Sequence, residues 1–197
     1  MKISLIGNCQ IKSLTWYIQQ LDPSFDTKYI YIDIGTWQHH KENYCRGRLT
    51  PTIADCNQAQ NRLAESDYII YQPIRPSRLK YFNYEDIQKY RNNAKLISIS
   101  CFYYQKPDKK IMIEKKEYEE ITGLLGMKER AEKFNLDIQA HKIIEECGVD
   151  AIATDHAYHP KALYFLELVK RICEKTGWDY YNAEQHAKYL KEGFPFG

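Results

Sequence analysis

The sequence predicts an α/β fold, a three-layer, doubly wound parallel sheet with a helical insertion. Three observations predict it. Short, β-branched, mostly apolar runs alternate with amphipathic stretches up to about residue 102, the pattern of a parallel sheet covered on both faces by helices. From Ile111 to Cys147 the chain turns into charged amphipathic helix, which reads as an insertion. The length, 197 residues, suits a single α/β domain spanning 1–197, with the insertion at about 111–147.

The elements follow in order. Lys2 to Ile6 is an apolar run stopped by Gly7, and Ile11, Leu14, Ile18 and Leu21 then repeat at helical spacing, so the chain opens strand, tight turn, helix. Asp22-Pro23 ends that helix, because proline lacks the amide and disfavours helical geometry before it. Tyr29 to Ile34 alternates at period two as a second strand. Asn57 to Glu65 reads as a helix, Tyr68 to Tyr71 as a third strand, Tyr84 to Tyr90 as a short helix and Leu96 to Ser100 as a fourth strand. This succession suggests a flavodoxin-like strand order. In the insertion, Ile121, Leu124, Leu125, Phe134, Ile138, Ile143 and Ile144 are the expected buried positions. A weak strand is expected at Ala151 to Thr154, then a proline-started helix burying Ala162, Phe165, Leu166, Val169 and Ile172 and ended by Gly177, with a further helix at Ala183 to Leu190.

Composition removes several function classes. The net charge is only +2, without the basic excess expected of a nucleic-acid-binding protein. No apolar run approaches the roughly 20 residues of a membrane-spanning helix, and the N-terminus lacks the long apolar region of a signal peptide, so a cytoplasmic protein is expected. Cys9, Cys45, Cys56, Cys101, Cys147 and Cys173 are scattered without a CxxC pair, against both a zinc ribbon and a disulfide scaffold. Aromatic residues make up 14% of the chain, 17 of them tyrosines whose hydroxyls need partners or water.

Open parallel sheets bind ligands beyond the carboxyl ends of their strands, so Gly7-Asn8-Cys9-Gln10, after the first strand, is the first place to look. A glycine there permits a sharp turn, and amides at the start of a helix favour an anion or a developing oxyanion. Cys9 at a helix N-terminus would gain thiolate character, although the position equally suits a small buried strand-end cysteine. The second candidate is Asp155-His156-Ala157-Tyr158-His159-Pro160. A histidine before a proline-started helix stands on a loop, where a general base can act. Asp155 or His156 would orient His159, while a loop histidine is also an ordinary solvated one. No HExxH or paired-cysteine spacing supports a metal.

Taken together, Ile6-Gly7-Asn8-Cys9-Gln10 and the late His159-Pro160 resemble the WcbI-type polysaccharide-biosynthesis acetyltransferase family. Asp67 to Gln72 and Phe102 with Pro107-Asp108 also look like blocks of that family. The resemblance spans Met1 to about Ile172, GNCQ being its distinctive block. It implies coenzyme A or acetyl-CoA as acyl donor, a sugar hydroxyl as acceptor, and a role in capsular or surface polysaccharide. The layout is also similar to the SGNH (GDSL-like) hydrolases, with Asn8-Cys9 where those have Asp-Ser, and His156 where they have aspartate before the histidine matched by His159.

Two transfer routes fit. In one, His159 deprotonates the acceptor hydroxyl, which attacks the thioester directly while amides near Cys9 and the side chains of Asn8 or Gln72 hold the oxyanion. In the other, Cys9 carries the acyl group covalently. Coenzyme A phosphates need basic partners; Arg75 to Lys95 has six basic and two acidic residues, and Arg75 and Arg78 lie just beyond the third strand. Gly7 and Gln10 would line the coenzyme side of the crevice. His39, His40, Lys41, Arg46 and Arg48 form a second basic group, and Tyr103 and Tyr104 are candidates to stack on adenine or sugar. The alternatives are an SGNH-like ester or thioester hydrolase and a non-catalytic coenzyme A or nucleotide-binding module; no Walker or GxGxxG pattern supports a generic nucleotide fold.

Overall fold

The computed structural model describes residues 1–32, 56–74, 82–102, 124–152 and 159–192. The chain divides into two compact units, Met1–Ile99 and Ser100–Gly197.

The first unit is built on four strands, β1 (Lys2–Gly7), β2 (Asp26–Tyr31), β3 (Tyr68–Tyr71) and β4 (Lys95–Ser98), with helices α1 (Cys9–Gln19), α2 (Cys56–Ala64) and α3 (Tyr84–Tyr90). All strand pairs are parallel, in the order β2-β1-β3-β4, with Ile3 opposite both Thr27 and Tyr68 and Ile70 opposite Ile97. That is the flavodoxin-like order as far as the described strands extend. The two central strands, β1 and β3, are mostly apolar and buried, as in a sheet covered on both sides, and Ile3, Leu5 and Ile6 are fully buried.

Alternate residues on a strand face opposite ways. Ile6, Ile30, Ile69 and Tyr71 share a core with Ala59 and Leu63 of α2 and Ile87 of α3. The other face carries Ile3, Leu5 and Gly7, and Ile11 of α1 lies over Gly7. Right-handed crossovers require this division, since the chain leaves β1 toward β2 and returns past it to β3. Each aliphatic side chain so enclosed contributes roughly 1.5–3 kcal/mol. Helix starts are fixed by side chains: Asn8 caps α1, and Asn83 caps α3 by accepting from the amides of Glu85 and Asp86 at 3.0 and 3.2 Å.

The amino ends of the strands are held by a polar clamp. Arg62, 8% exposed, donates to the Asp26 carboxylate at 2.6 Å and to the Asp26 main-chain oxygen. Ser4 and Ser66 share a hydrogen bond, and Lys2 pairs with Glu65. The carboxyl ends are left for other work.

The second unit contains α4 (Leu124–Lys133), α5 (Ala140–Cys147), the single turn α6 (Val149–Ile152), α7 (Ala162–Thr176) and α8 (Ala183–Glu192). Helix α7 buries Ala162, Phe165, Leu166, Val169 and Ile172 as its periodicity requires, and Gly177 ends it in the left-handed region at φ 75°. The ring of Phe102 meets that of Tyr164 edge-on, with centroids 4.9 Å apart.

Three expectations need correction. Ala151 and Ile152 form a helical turn rather than a strand, because the Ala151 amide bonds back to Gly148, whose φ of 81° has just broken α5. Leu125 is 60% exposed, and Leu124 and Phe134 only half-buried, while Ile138, Ile143 and Ile144 are buried; the apolar stripe of α4 runs instead through Met127 and Ala131. Pro160 does not start α7, since the helix begins at Ala162 after an extended Lys161. Ile121 lies outside the described residues, as do 153 and 154.

Candidate functional site

The strand order places a topological switch between β1 and β3. From β1 the chain passes through α1 to β2 on one side, and β3 lies on the other. The crevice above diverging connections is where open α/β sheets bind ligands. The residues that follow these two strands are Asn8, Cys9 and Gln10 after Gly7, and Gln72 after Tyr71. The structure therefore brings together the sequence-predicted Gly7, Asn8, Cys9, Gln10 and Gln72.

Three carboxamides form a closed ring here. Oε1 of Gln72 accepts from the main-chain amide of Asn8 at 2.9 Å. Oδ1 of Asn8 accepts from the amide of Gln10 at 3.0 Å, which is the cap of α1. Nε2 of Gln72 donates to Oε1 of Gln10 at 3.3 Å, closing the ring. Asn8, Gln10 and Gln72 are 9%, 4% and 5% exposed. Burying amides is costly unless their hydrogen bonds are made, and each ring member makes them with another. The main chain anchors the same place: the Gln72 amide donates to Ile6 at 2.9 Å and the Ile32 amide to Gly7 at 2.7 Å.

Gly7 is required for space. A Cβ there would stand 2.2 Å from Oε1 of Gln72 and 2.6 Å from Cγ1 of Ile11. Its backbone is ordinary strand, so the expected reason, freedom to turn, gives way to close approach of a side chain.

Cys9 is the first residue of α1 and is half-buried. Nearly all of α1 is buried; Cys9, Lys12 and Trp16, at helical spacing, lie along its more exposed stripe. The cysteine is thus not a packed strand-end residue. The expectation that the turn's amides face the crevice changes in detail, because those of Asn8, Gln10 and Ile11 bond to Gln72 Oε1, Asn8 Oδ1 and the Asn8 carbonyl.

Cys147, half-buried, and Cys173, buried, lie in the second unit. Burial, then the charges of Asp179 and Glu174, pushes the Cys173 thiol up to about 12. Burial, with Glu167 and Glu146, raises that of Cys147.

His159 belongs to the second unit, exposed on the loop before α7. The next residues hold that loop: the Lys161 amide donates to Ile152 at 2.8 Å and its Nζ to the Asp150 carbonyl at 2.6 Å. Asp155, His156, Arg75 and Arg78 lie outside the described residues, as do the group from His39 to Arg48, Tyr103 with Tyr104, and Pro107-Asp108. Among the described residues, no three His, Cys, Asp or Glu side chains gather as a metal site, and no helix is long and apolar enough to cross a membrane.

No family model matches the chain. No curated protein matches its sequence. Solved structures of two catalytic mutants of Axe2, an acetylxylan esterase from Geobacillus stearothermophilus, are similar at 12% and 13% identity, each with a TM-score of 0.41, covering 92% of this chain and 96% of theirs. The fold assignment rests on the strand order and register of the sheet itself.

Proposed function

We propose that the chain is a coenzyme A-dependent acyltransferase, acetyl-CoA being the donor and a sugar hydroxyl of surface or capsular polysaccharide the acceptor. The observation that carries this reading is the carboxamide ring around Cys9 at the switch point. Its three side chains are uncharged and present amide groups, chemistry suited to a neutral acyl carbonyl whose oxygen becomes negative as it is attacked. The GNCQ resemblance supplies the donor and acceptor classes.

In this reading His159 accepts the proton of the acceptor hydroxyl as the oxygen attacks the thioester carbonyl. The tetrahedral intermediate places its charge on the former carbonyl oxygen, toward the carboxamide NH2 groups of Asn8 and Gln72. Its collapse breaks the carbon–sulfur bond, and the proton on His159 passes to the departing thiolate, leaving ester and free coenzyme A. Asp155 or His156 orients His159. Arg75 and Arg78 meet the coenzyme's phosphates, and Gly7 and Gln10 line the donor side of the crevice. Cys9 stands beside the thioester as wall or as covalent carrier, and a covalent acyl-enzyme would give ping-pong kinetics.

The test is thiol release from acetyl-CoA, with and without a panel of sugars. Release that depends on sugar and is lost in His159→Ala supports transfer. Equal release without sugar replaces it with thioester hydrolysis, and no release with any sugar defeats the proposal. A Cys9→Ser variant with full turnover removes the covalent route.

A further inference from the structure

We infer that Gln72 is the positioning residue of this site, acting through its carboxamide oxygen rather than as a donor alone. The inference deepens the acyl-transfer reading and rests on it for the role of Cys9. The three side-chain bonds run in one direction around a ring, Gln72 oxygen to Asn8 amide, Asn8 oxygen to Gln10 amide, Gln10 oxygen to Gln72 nitrogen. Cys9 is the residue bracketed between Asn8 and Gln10, and so its backbone is held from both sides.

The ring spans two strands. Residue 72 makes the next main-chain rung of the sheet, its amide bonding to Ile6, and turns its side chain back over β1 to reach Asn8. The end of β3 is thereby tied to the first turn of α1. Asn8 is held extended, at φ −76° and ψ −165°, the geometry that lets it cap α1 and delivers Cys9 as the first helical residue. The main-chain amide of Asn8 can only donate, and this settles which end of the Gln72 carboxamide faces it; the bond from Nε2 to Gln10 agrees. Gly7 completes the device, because any side chain there would occupy the place of the Gln72 oxygen. A glutamine 5% exposed, with an oxygen serving a neighbouring strand's turn, is not explained by packing, which an aliphatic residue would satisfy without amide bonds.

The experiment compares the full chain with Gln72→Leu, which keeps bulk and removes the acceptor, and Gln72→Glu, which keeps an oxygen. Two quantities are read: hydrogen exchange of the Asn8 amide, and the pH profile of Cys9 alkylation by iodoacetamide, followed on the Cys9 peptide by mass spectrometry. Gln72→Leu is expected to speed Asn8 exchange at least tenfold and to displace the Cys9 profile while Ile3 and Leu5 amides keep their protection. Gln72→Glu is expected to keep Asn8 protected. A wild-type Cys9 profile in a folded Gln72→Leu variant overturns the inference. Should that variant not fold, Gln72→Glu decides: loss of Asn8 protection there also overturns it. Calorimetry with acetyl-CoA on the unsubstituted chain is read separately, so that failure of donor binding counts against the acyl-transfer reading and leaves the Asn8 and Cys9 results standing.

Discussion

A side chain at Gly7 would place its Cβ 2.2 Å from the carboxamide oxygen of Gln72, inside the space that the ring around Cys9 needs. Gly7→Ala therefore forces either the glutamine or Ile11 aside, and neither is free to go, since Gln72 is bonded to Asn8 and Ile11 is fully buried. Overpacking of this kind costs roughly 1–3 kcal/mol. A lowered thermal midpoint by circular dichroism is expected, together with lost turnover. An unchanged midpoint would mean that the close approach is not required.

Asn8→Ala removes the cap of α1, an effect of about 0.5–2 kcal/mol. Asn8→Asp keeps an oxygen for the Gln10 amide and puts a negative charge at the positive end of the helix, so its loss should be smaller. Thermal melts of the two variants side by side check the order; equal losses would remove the cap as the cause.

At the other end of the sheet, burial opposes ionisation of Asp26, but the hydrogen bond and charge of Arg62, with Lys28 and Lys2, outweigh it and hold the carboxyl below its usual 3.8. A depressed carboxylate contributes stability that is complete above the ordinary value and lost as pH falls through the folded one. Asp26→Asn should cost about 1–3 kcal/mol at neutral pH, toward the low end because the carboxylate is 44% exposed while Arg62 is buried. The variant and the parent chain should converge in stability below pH 3.8. Urea unfolding at pH 7 and pH 3 tests this, and a constant difference would contradict it.

His141 is 3% exposed, with Nδ1 unbonded among the described residues. Burial, against the pull of Glu145 and Glu132, holds its pKa below the usual 6.5, with Lys142 and Lys128 adding to the shift. The unfolded chain then binds the proton more readily, so stability declines as pH falls below 6.5 toward the folded value. His141→Leu removes that slope in the window just below 6.5 and leaves the acid limb from Asp26 in place. Melting midpoints between pH 7.5 and 5 measure it; an unchanged slope would place the titration elsewhere.

The first half of the fold was legible because its signals are local. The apolar runs ending at Gly7 and Tyr71, and the 3, 4, 3 spacing of α1, are properties of consecutive residues. The expected strand gives way to a helical turn at Ala151 and Ile152 for the same reason: apolar or small residues fit either form, and the backbone of Gly148 decided it. Leu125 misled because the buried side of α4 runs through Gly126, Met127 and Ala131, and Leu125 lies off it. At the site, the residue types were legible and their connections were not. Position 72 could be named from where β3 ends, but the reach of its oxygen to Asn8, 64 positions away, depends on β1 and β3 being neighbours and on the missing Cβ of Gly7.

The most direct measurement is calorimetric titration of the purified chain with coenzyme A and acetyl-CoA, alongside Arg75→Ala with Arg78→Ala. Saturable binding, weakened at least tenfold by the paired arginine substitution, is the predicted result. No heat of binding at millimolar ligand would contradict the acyl-CoA reading.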